Sequence, residues 1–155
     1  MTTSLLQLCV RRTPAPGAPA MGTRVQLRMP SRIDCIEETV SVVTRHCLSG
    51  TPASDRLRFR LQVALAEALA NAVMRGNEED PAKSVQVDAE LFPNVMRVQV
   101  TDEGVGFDPA QIPEQIWPEQ IAECCGRGLF LIRKLVDDVR FNEQGNSICM
   151  TLRRR

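Results

Sequence analysis

An excess of charge of either sign is missing from this chain: 19 lysines and arginines stand against 19 aspartates and glutamates over 155 residues. Nucleic-acid affinity rests on phosphate neutralisation, so the balance excludes a general polyanion binder, and no direct nucleic-acid contact is expected. The run Arg153, Arg154, Arg155 is a local exception and reads as a solvated end. Long apolar runs are missing too; none approaches the ~18 residues of a membrane-spanning helix. The first residues lack a charged head followed by a long apolar core, so no secretory signal is expected and the cytoplasm is the expected compartment. Histidine occurs once, as His46, and none of the cysteines at 9, 35, 47, 124, 125 and 149 forms Cys-x-x-Cys. A structural zinc site needs about four well-placed ligands, so the cysteines read as small buried hydrophobes in a reducing compartment. A catalytic Cys/His pair would have only His46, which precedes Cys47, to serve it, and no known nucleophile signature surrounds any cysteine. No Gly-Lys-Ser/Thr phosphate loop and no internal repeat occurs anywhere.

What is present is one domain's worth of chain, 43% hydrophobic, able to bury roughly 70% of its unfolded surface. Residues 1–21 include Thr13-Pro14-Ala15-Pro16-Gly17-Ala18-Pro19-Ala20 and are expected to form a mobile tail. Val25, Leu27 and Met29 alternate with polar residues, predicting a strand that stops at Pro30. Ser31 then suits the N-cap of a helix carrying Ile33, Ile36, Val40, Val43 and Cys47 on one side, broken over residues 50–54. A longer helix is predicted over residues 55–75. Leu57, Leu61, Ala64, Leu65, Ala68, Leu69, Ala72 and Val73 recur at helical spacing, with Gly76 as C-terminal cap. Alternation at Val85, Val87, Ala89, Leu91 and at Met96, Val98, Val100 predicts a hairpin turning at Pro93-Asn94. Residues 102–125 show no period. A helix over residues 128–136 and a final hairpin around Gly145-Asn146 complete the chain. Strand pairs on short turns with helices between them imply an α/β sandwich, a mixed and largely antiparallel sheet covered on one face by three helices.

Three features carry candidate chemistry, each with a plain structural alternative. Glu67 and Asn71 are four residues apart, hence stacked on one helical face amid alanines that would let a ligand approach; an ordinary solvated stripe is the alternative. Thr101-Asp102-Glu103-Gly104-Val105-Gly106-Phe107 falls where a buried strand ends. Its glycines admit a planar ligand and its Asp102 can accept from an amino group, yet a tight turn favours the same residues. Gly126-Arg127-Gly128 opens a helix whose free N–H groups would suit phosphate, although the pair lacks the third glycine of a dinucleotide fingerprint.

Glu-x-x-x-Asn on a helix, Asp-x-Gly-x-Gly after a strand and Gly-x-Gly before a helix resemble, in that order, the ATP-binding signature of the GHKL superfamily of gyrase, Hsp90, histidine kinases and MutL. Within it the short domain is similar to the bacterial anti-sigma factor serine kinases of the RsbW and SpoIIAB type. The matching stretches are residues 61–76, 98–109 and 126–139, and the resemblance runs from about Thr23 to Leu152, placing a kinase domain of the Bergerat (GHKL) type at residues 22–155. It implies Glu67 as the catalytic base toward a serine hydroxyl and Asn71 as a ligand of Mg²⁺. It implies Asp102 as the acceptor of the adenine amino group, with Gly104 and Gly106 making room, and Gly126, Arg127 and Gly128 as the phosphate-side loop. Residues 108–125, with Pro109, Pro113, Trp117 and Pro118, correspond to a lid over the triphosphate of ATP. The chain departs from many relatives at Arg75, where they carry histidine, and at Cys124-Cys125, which reads as packing under the lid.

The resemblance also implies partners. The protein would phosphorylate a serine on a STAS-type anti-anti-sigma antagonist, sequester a sigma factor alternately, and form a homodimer. A non-catalytic sequestering module would need no base, and Glu67 speaks against it. A detached histidine-kinase ATPase domain would need a phosphoacceptor helix, and His46 lacks the customary acidic or proline neighbours.

Overall fold

The computed structural model describes residues 6–14, 21–48, 55–112 and 126–154. Its strands are β1 (Gln7–Pro14), β2 (Met21–Pro30), β3 (Ser84–Leu91), β4 (Val95–Thr101), β5 (Asp138–Phe141) and β6 (Ser147–Arg153). Its helices are α1 (Ile36–Leu48), α2 (Asp55–Asn71) and α3 (Gly126–Leu135). The strands form one six-stranded sheet in the order β1-β2-β3-β4-β6-β5. The sheet expected as mixed and largely antiparallel is antiparallel at every described pairing.

Period-two alternation places the sheet's two faces. Val25, Leu27 and Met29 on β2, Val85, Val87 and Ala89 on β3 and Met96, Val98 and Val100 on β4 are buried, while Arg24, Arg28, Arg97 and Gln99 are exposed. The buried residues meet Leu57, Leu61, Leu65 and Leu69 of α2 and Val43 and Cys47 of α1 in a single core. α1 lies over β2 and β3, α2 over β4 and β6, and α3 over β5, so the helices cover one face.

Four expectations are corrected. The tail expected over residues 1–21 is not a tail at Gln7–Pro14, which pairs along its whole length with β2. Leu8 lies opposite Leu27 and Val10 opposite Val25, an alternation masked in the sequence by the proline-rich run beyond it. Ser31 is not the cap: its hydroxyl is buried without a hydrogen-bond partner among the described residues, and a 3₁₀ turn at Ile33–Cys35, with Arg32 at its N-cap, precedes α1. That turn winds at about 3.0 residues per turn, so Ile33 leaves the α1 stripe and stands 50% exposed, while Cys35 and Thr39 take the inner positions. Gly76 is not a left-handed cap. After Asn71 the helix widens into a π-helical turn, Ala72–Gly76, closed by Asn77 N donating to Ala72 O at 2.8 Å. The left-handed conformation falls instead on Glu78 and Glu79, at φ 52° and 56°. Among the cysteines, Cys35 and Cys47 are buried as expected, but Cys9 is exposed and Cys149 is half-buried; Cys124 and Cys125 lie outside the described residues, as does the helix break over 50–54.

Candidate active site

The open end of the sandwich, where α2, β4 and the β5–β6 hairpin converge, holds a cavity of about 570 Å³. Helical spacing sets its α2 wall. Asn71 at the end of α2 and Arg75 and Gly76 of the π-helical turn line it, with Ala68 and Ala72 too short to fill it. The loop after β4 forms the floor: Asp102, Val105, Gly106 and Phe107 line the cavity, facing Phe141, Gly145 and Asn146. Phe107 and Phe141 meet edge to face, their centroids 5.3 Å apart, and supply an apolar wall suited to a flat ring.

Close packing gives the glycines their roles. Gly106 and Gly145 both have φ 77°, and a methyl group on either would collide with backbone of the other's loop, at Gln144 O and Phe107 O respectively. Both positions therefore demand glycine on conformational and steric grounds together. Asp102 is fixed by its surroundings. Its amide donates to Asn146 O at 2.9 Å, and its Oδ1 accepts from Gly104 N at 2.8 Å. A methyl group at Gly76 would overlap the Asp102 carboxylate. Burial raises the Asp102 carboxyl above the ordinary aspartate range, opposed by the Gly104 N–H and the charge of Lys83. A half-buried carboxylate with one oxygen held by the protein has its other lone pairs for a donor in the cavity.

Glu67, Asn71 and Gly128 come together at the α2–α3 contact. A methyl group at 128 would stand 2.9 Å from Glu67 Oε2 and 3.1 Å from Asn71 Nδ2, so glycine lets the first turn of α3 lie directly against both side chains. Free N–H groups of that turn thus sit beside the carboxylate and amide of α2. Asn71, Asp102 and Gly106 line the cavity itself, and Glu67, Gly104 and Gly128 lie against those wall residues; Gly126 and Arg127 open the α3 turn that carries Gly128. Arg127 is exposed. Of the expected lid, only residues 108–112 are described, a 3₁₀ turn (Pro109–Gln111) whose N-cap Asp108 accepts from Ala110 N at 3.0 Å. Trp117, Pro113, Pro118, Cys124 and Cys125 lie outside the described residues.

The pair Cys47–His46 is no nucleophile: burial pushes the Cys47 thiol up to about 12, leaving no thiolate at neutral pH. The side-chain oxygen of Asn71 fits Mg²⁺, a hard ion that takes one or two protein oxygens and completes its shell from phosphate and water. Among the described residues no group of three acidic, histidine or cysteine side chains is placed to hold a metal ion.

Sequence reasoning missed three asparagines. Asn142 Oδ1 accepts from Gly145, Asn146 and Ser147, folding the β5–β6 turn against the Asp102 loop. Asn146 Nδ2 donates to Asp102 O, and fully buried Asn77 bonds both Ser84 O and Glu103 N. Asparagines beside glycines signal turns, and nothing local tells a turn asparagine from one that braces a site.

Residues 29–152 match the family described as Histidine kinase-like ATPase domain. The chain is 26% identical over 142 residues to the serine-protein kinase RsbW of Listeria innocua, covering 84% of this chain and 87% of the relative. It is 27% identical over 133 residues to that of Oceanobacillus iheyensis, covering 77% and 79%. Against that of Bacillus subtilis it is 34% identical over 99 residues, covering 59% and 61%.

Proposed function

The chain belongs to the histidine kinase-like ATPase domain family, and from that premise we propose an anti-sigma factor that is also an ATP-dependent serine kinase. It phosphorylates a serine on a STAS-type anti-anti-sigma antagonist and alternately sequesters a sigma factor. The observation that carries the reading is the convergence of Glu67, Asn71 and Gly128 beside a cavity floored by Asp102 and Gly106. Three short motifs, far apart in sequence, meet there.

Asp102 accepts from the adenine amino group, while Gly104 and Gly106 keep side chains off the base. The first turn of α3, with Gly126, Arg127 and Gly128, takes the phosphates, and Asn71 is the residue that would hold Mg²⁺. Mg²⁺ with ATP, when bound, supplies the phosphoryl group and neutralises its charge. Glu67 takes the proton of the attacking serine hydroxyl as the new O–P bond forms and the bond to the ADP oxygen breaks. Its place one helical turn before Asn71 suits a hydroxyl approaching a metal-bound triphosphate.

Replacing Glu67 with glutamine keeps the shape and removes the base. Glu67→Gln is expected to bind ATP and the sigma factor but to phosphorylate the antagonist ~10²–10⁴ times more slowly. A radiolabelled transfer assay beside a sigma-factor pull-down checks both. Full kinase activity in Glu67→Gln overturns its role as base, and a wild type that phosphorylates no antagonist leaves a sequestering module.

A homodimer belongs to the same reading. The apolar residues of β2 and α1 are consumed inside the monomer core, so support moves to Leu8, Val10 and Ile33, exposed at 43%, 39% and 50%.

A further inference from the structure

Two chain segments meet under the cavity: residues 76–79, leaving the π-helical turn, and residues 102–104, beyond β4. Gly76 and the Asp102 carboxylate are in direct contact. One residue further along each segment, Glu103 N donates to Asn77 Oδ1 at 2.8 Å. Through Nδ2 the same side chain donates to Ser84 O, at the start of β3, at 2.9 Å. Asn77 is fully buried and takes no part in the cavity wall, so it acts on a ligand only through its neighbours.

Both ends of this amide are used, as a buried polar side chain demands. Glu103 adds a second tie, its Oε2 accepting from Ser84 N at 2.6 Å. The chain leaving Asn77 is strained, since Glu78 and Glu79 adopt a left-handed conformation that L residues rarely take. Such strain persists where the surroundings over-determine it, and Asn77 supplies that constraint. Asp102 is thereby gripped from two flanks, by Asn146 on its own amide and by Asn77 on the next one.

We propose that Asn77 is a positioning residue that sets the base specificity of this site, holding Asp102 where a base bearing an amino group is favoured over one without. The inference rests on the adenine role of Asp102. With Asn77 gone, the Glu103 amide and the Ser84 carbonyl lose their common partner. The 102–104 segment then relaxes, and the directional bond to the base weakens first.

Calorimetric affinities for ATP and for purine riboside triphosphate, which lacks only the 6-amino group, test this. A hydrogen bond to a charged acceptor is worth roughly 10- to 100-fold in binding, so the wild type is expected to prefer ATP by about that factor. Asn77→Ala is expected to keep its affinity for the analogue and lose most of the preference. Asn77→Asp retains an acceptor for Glu103 N and is expected to keep it. Should Asn77→Ala not fold, Asn77→Ser, too short to reach Glu103, takes its place. A merely structural role would lower the unfolding midpoint while the folded variant prefers ATP as strongly as wild type, which overturns the proposal. Asp102→Asn distinguishes the levels. If it leaves the preference intact, the adenine reading fails; if it abolishes the preference and Asn77→Ala does not, Asn77 alone is wrongly assigned.

Discussion

Asp102 shows how one side chain can trade stability for binding. Its folded pKa is raised, chiefly by burial, so the neutral form is the one folding favours. The contribution to stability is therefore full below the unfolded pKa of about 3.9 and is lost as pH rises through the folded value. In its ionised form the carboxylate is a liability to the fold and, on the proposed reading, the acceptor for the nucleotide's amino group. Asp102→Asn is expected to resist urea better than wild type at pH 7 and to bind ATP more weakly. The ratio of wild-type to Asp102→Asn affinity for ATP, in which the nucleotide's own titration cancels, is expected to fall on acidification at a higher pH than an ordinary aspartate would dictate, as titration calorimetry from neutral into acid pH reads. The residue's identity was visible in the Asp-x-Gly-x-Gly pattern. Its burial was not, because Gly76, Asn77 and Asn146 reach it from 25 to 44 positions away.

At the scale of elements, the site depends on α2 keeping its place against α3, and Arg60 holds that joint. Its Nε donates to Leu135 O, the last residue of α3, at 2.6 Å, and its Nη2 meets Asp137 Oδ2 at 2.7 Å. Asp137 Oδ2 also accepts from Arg153 N on β6 at 2.7 Å, so one guanidinium links two helices to the sheet. The two side chains are 13% and 15% exposed, and their bonds are charge-assisted. Arg60→Ala is expected to cost about 2 kcal/mol in urea denaturation, since charge-assisted bonds lie near 1.5–3. Loss of less than about 0.5 kcal/mol, the ordinary surface value, would show the joint to be incidental. Sequence periodicity located both helices. It did not single out Arg60 among the arginines of its first turns, because only its fold neighbours distinguish it.

For the whole molecule, the sheet has two edges. β5 is a short edge with Asp138 and Arg140 exposed, a combination that discourages further pairing. β1 is twice as long by its residue span and carries Leu8 and Val10 exposed. These residues face the helix side, since they stand opposite buried Leu27 and Val25. Closed two-fold pairs are the commonest soluble oligomers, and this apolar border is where a second copy would be accommodated. Light scattering at tens of micromolar protein is expected to return twice the mass of 17.3 kDa. A monomer mass would overturn the dimer.

The local sequence was enough for what depends on period and on short motifs. Alternation marked β2, β3, β4 and β6 and a 3.6-residue repeat marked α2, while three short motifs singled out Glu67, Asn71, Asp102, Gly106 and Gly128, which the fold gathers in or beside one cavity. Features set by partners distant in the chain needed the tertiary structure. Gln7–Pro14 became a strand because β2 offered it a full ladder, against its own proline-rich flank. Gly76 proved to be a seat for a carboxylate rather than a cap, and the π-helical turn before it carries the chain to Asn77. Asn77, Asn142 and Asn146 brace the site through hydrogen bonds whose other ends no local pattern encodes. Hydrophobic period is written residue by residue, whereas the satisfaction of a buried polar group is decided only when two remote segments are brought to hydrogen-bonding distance.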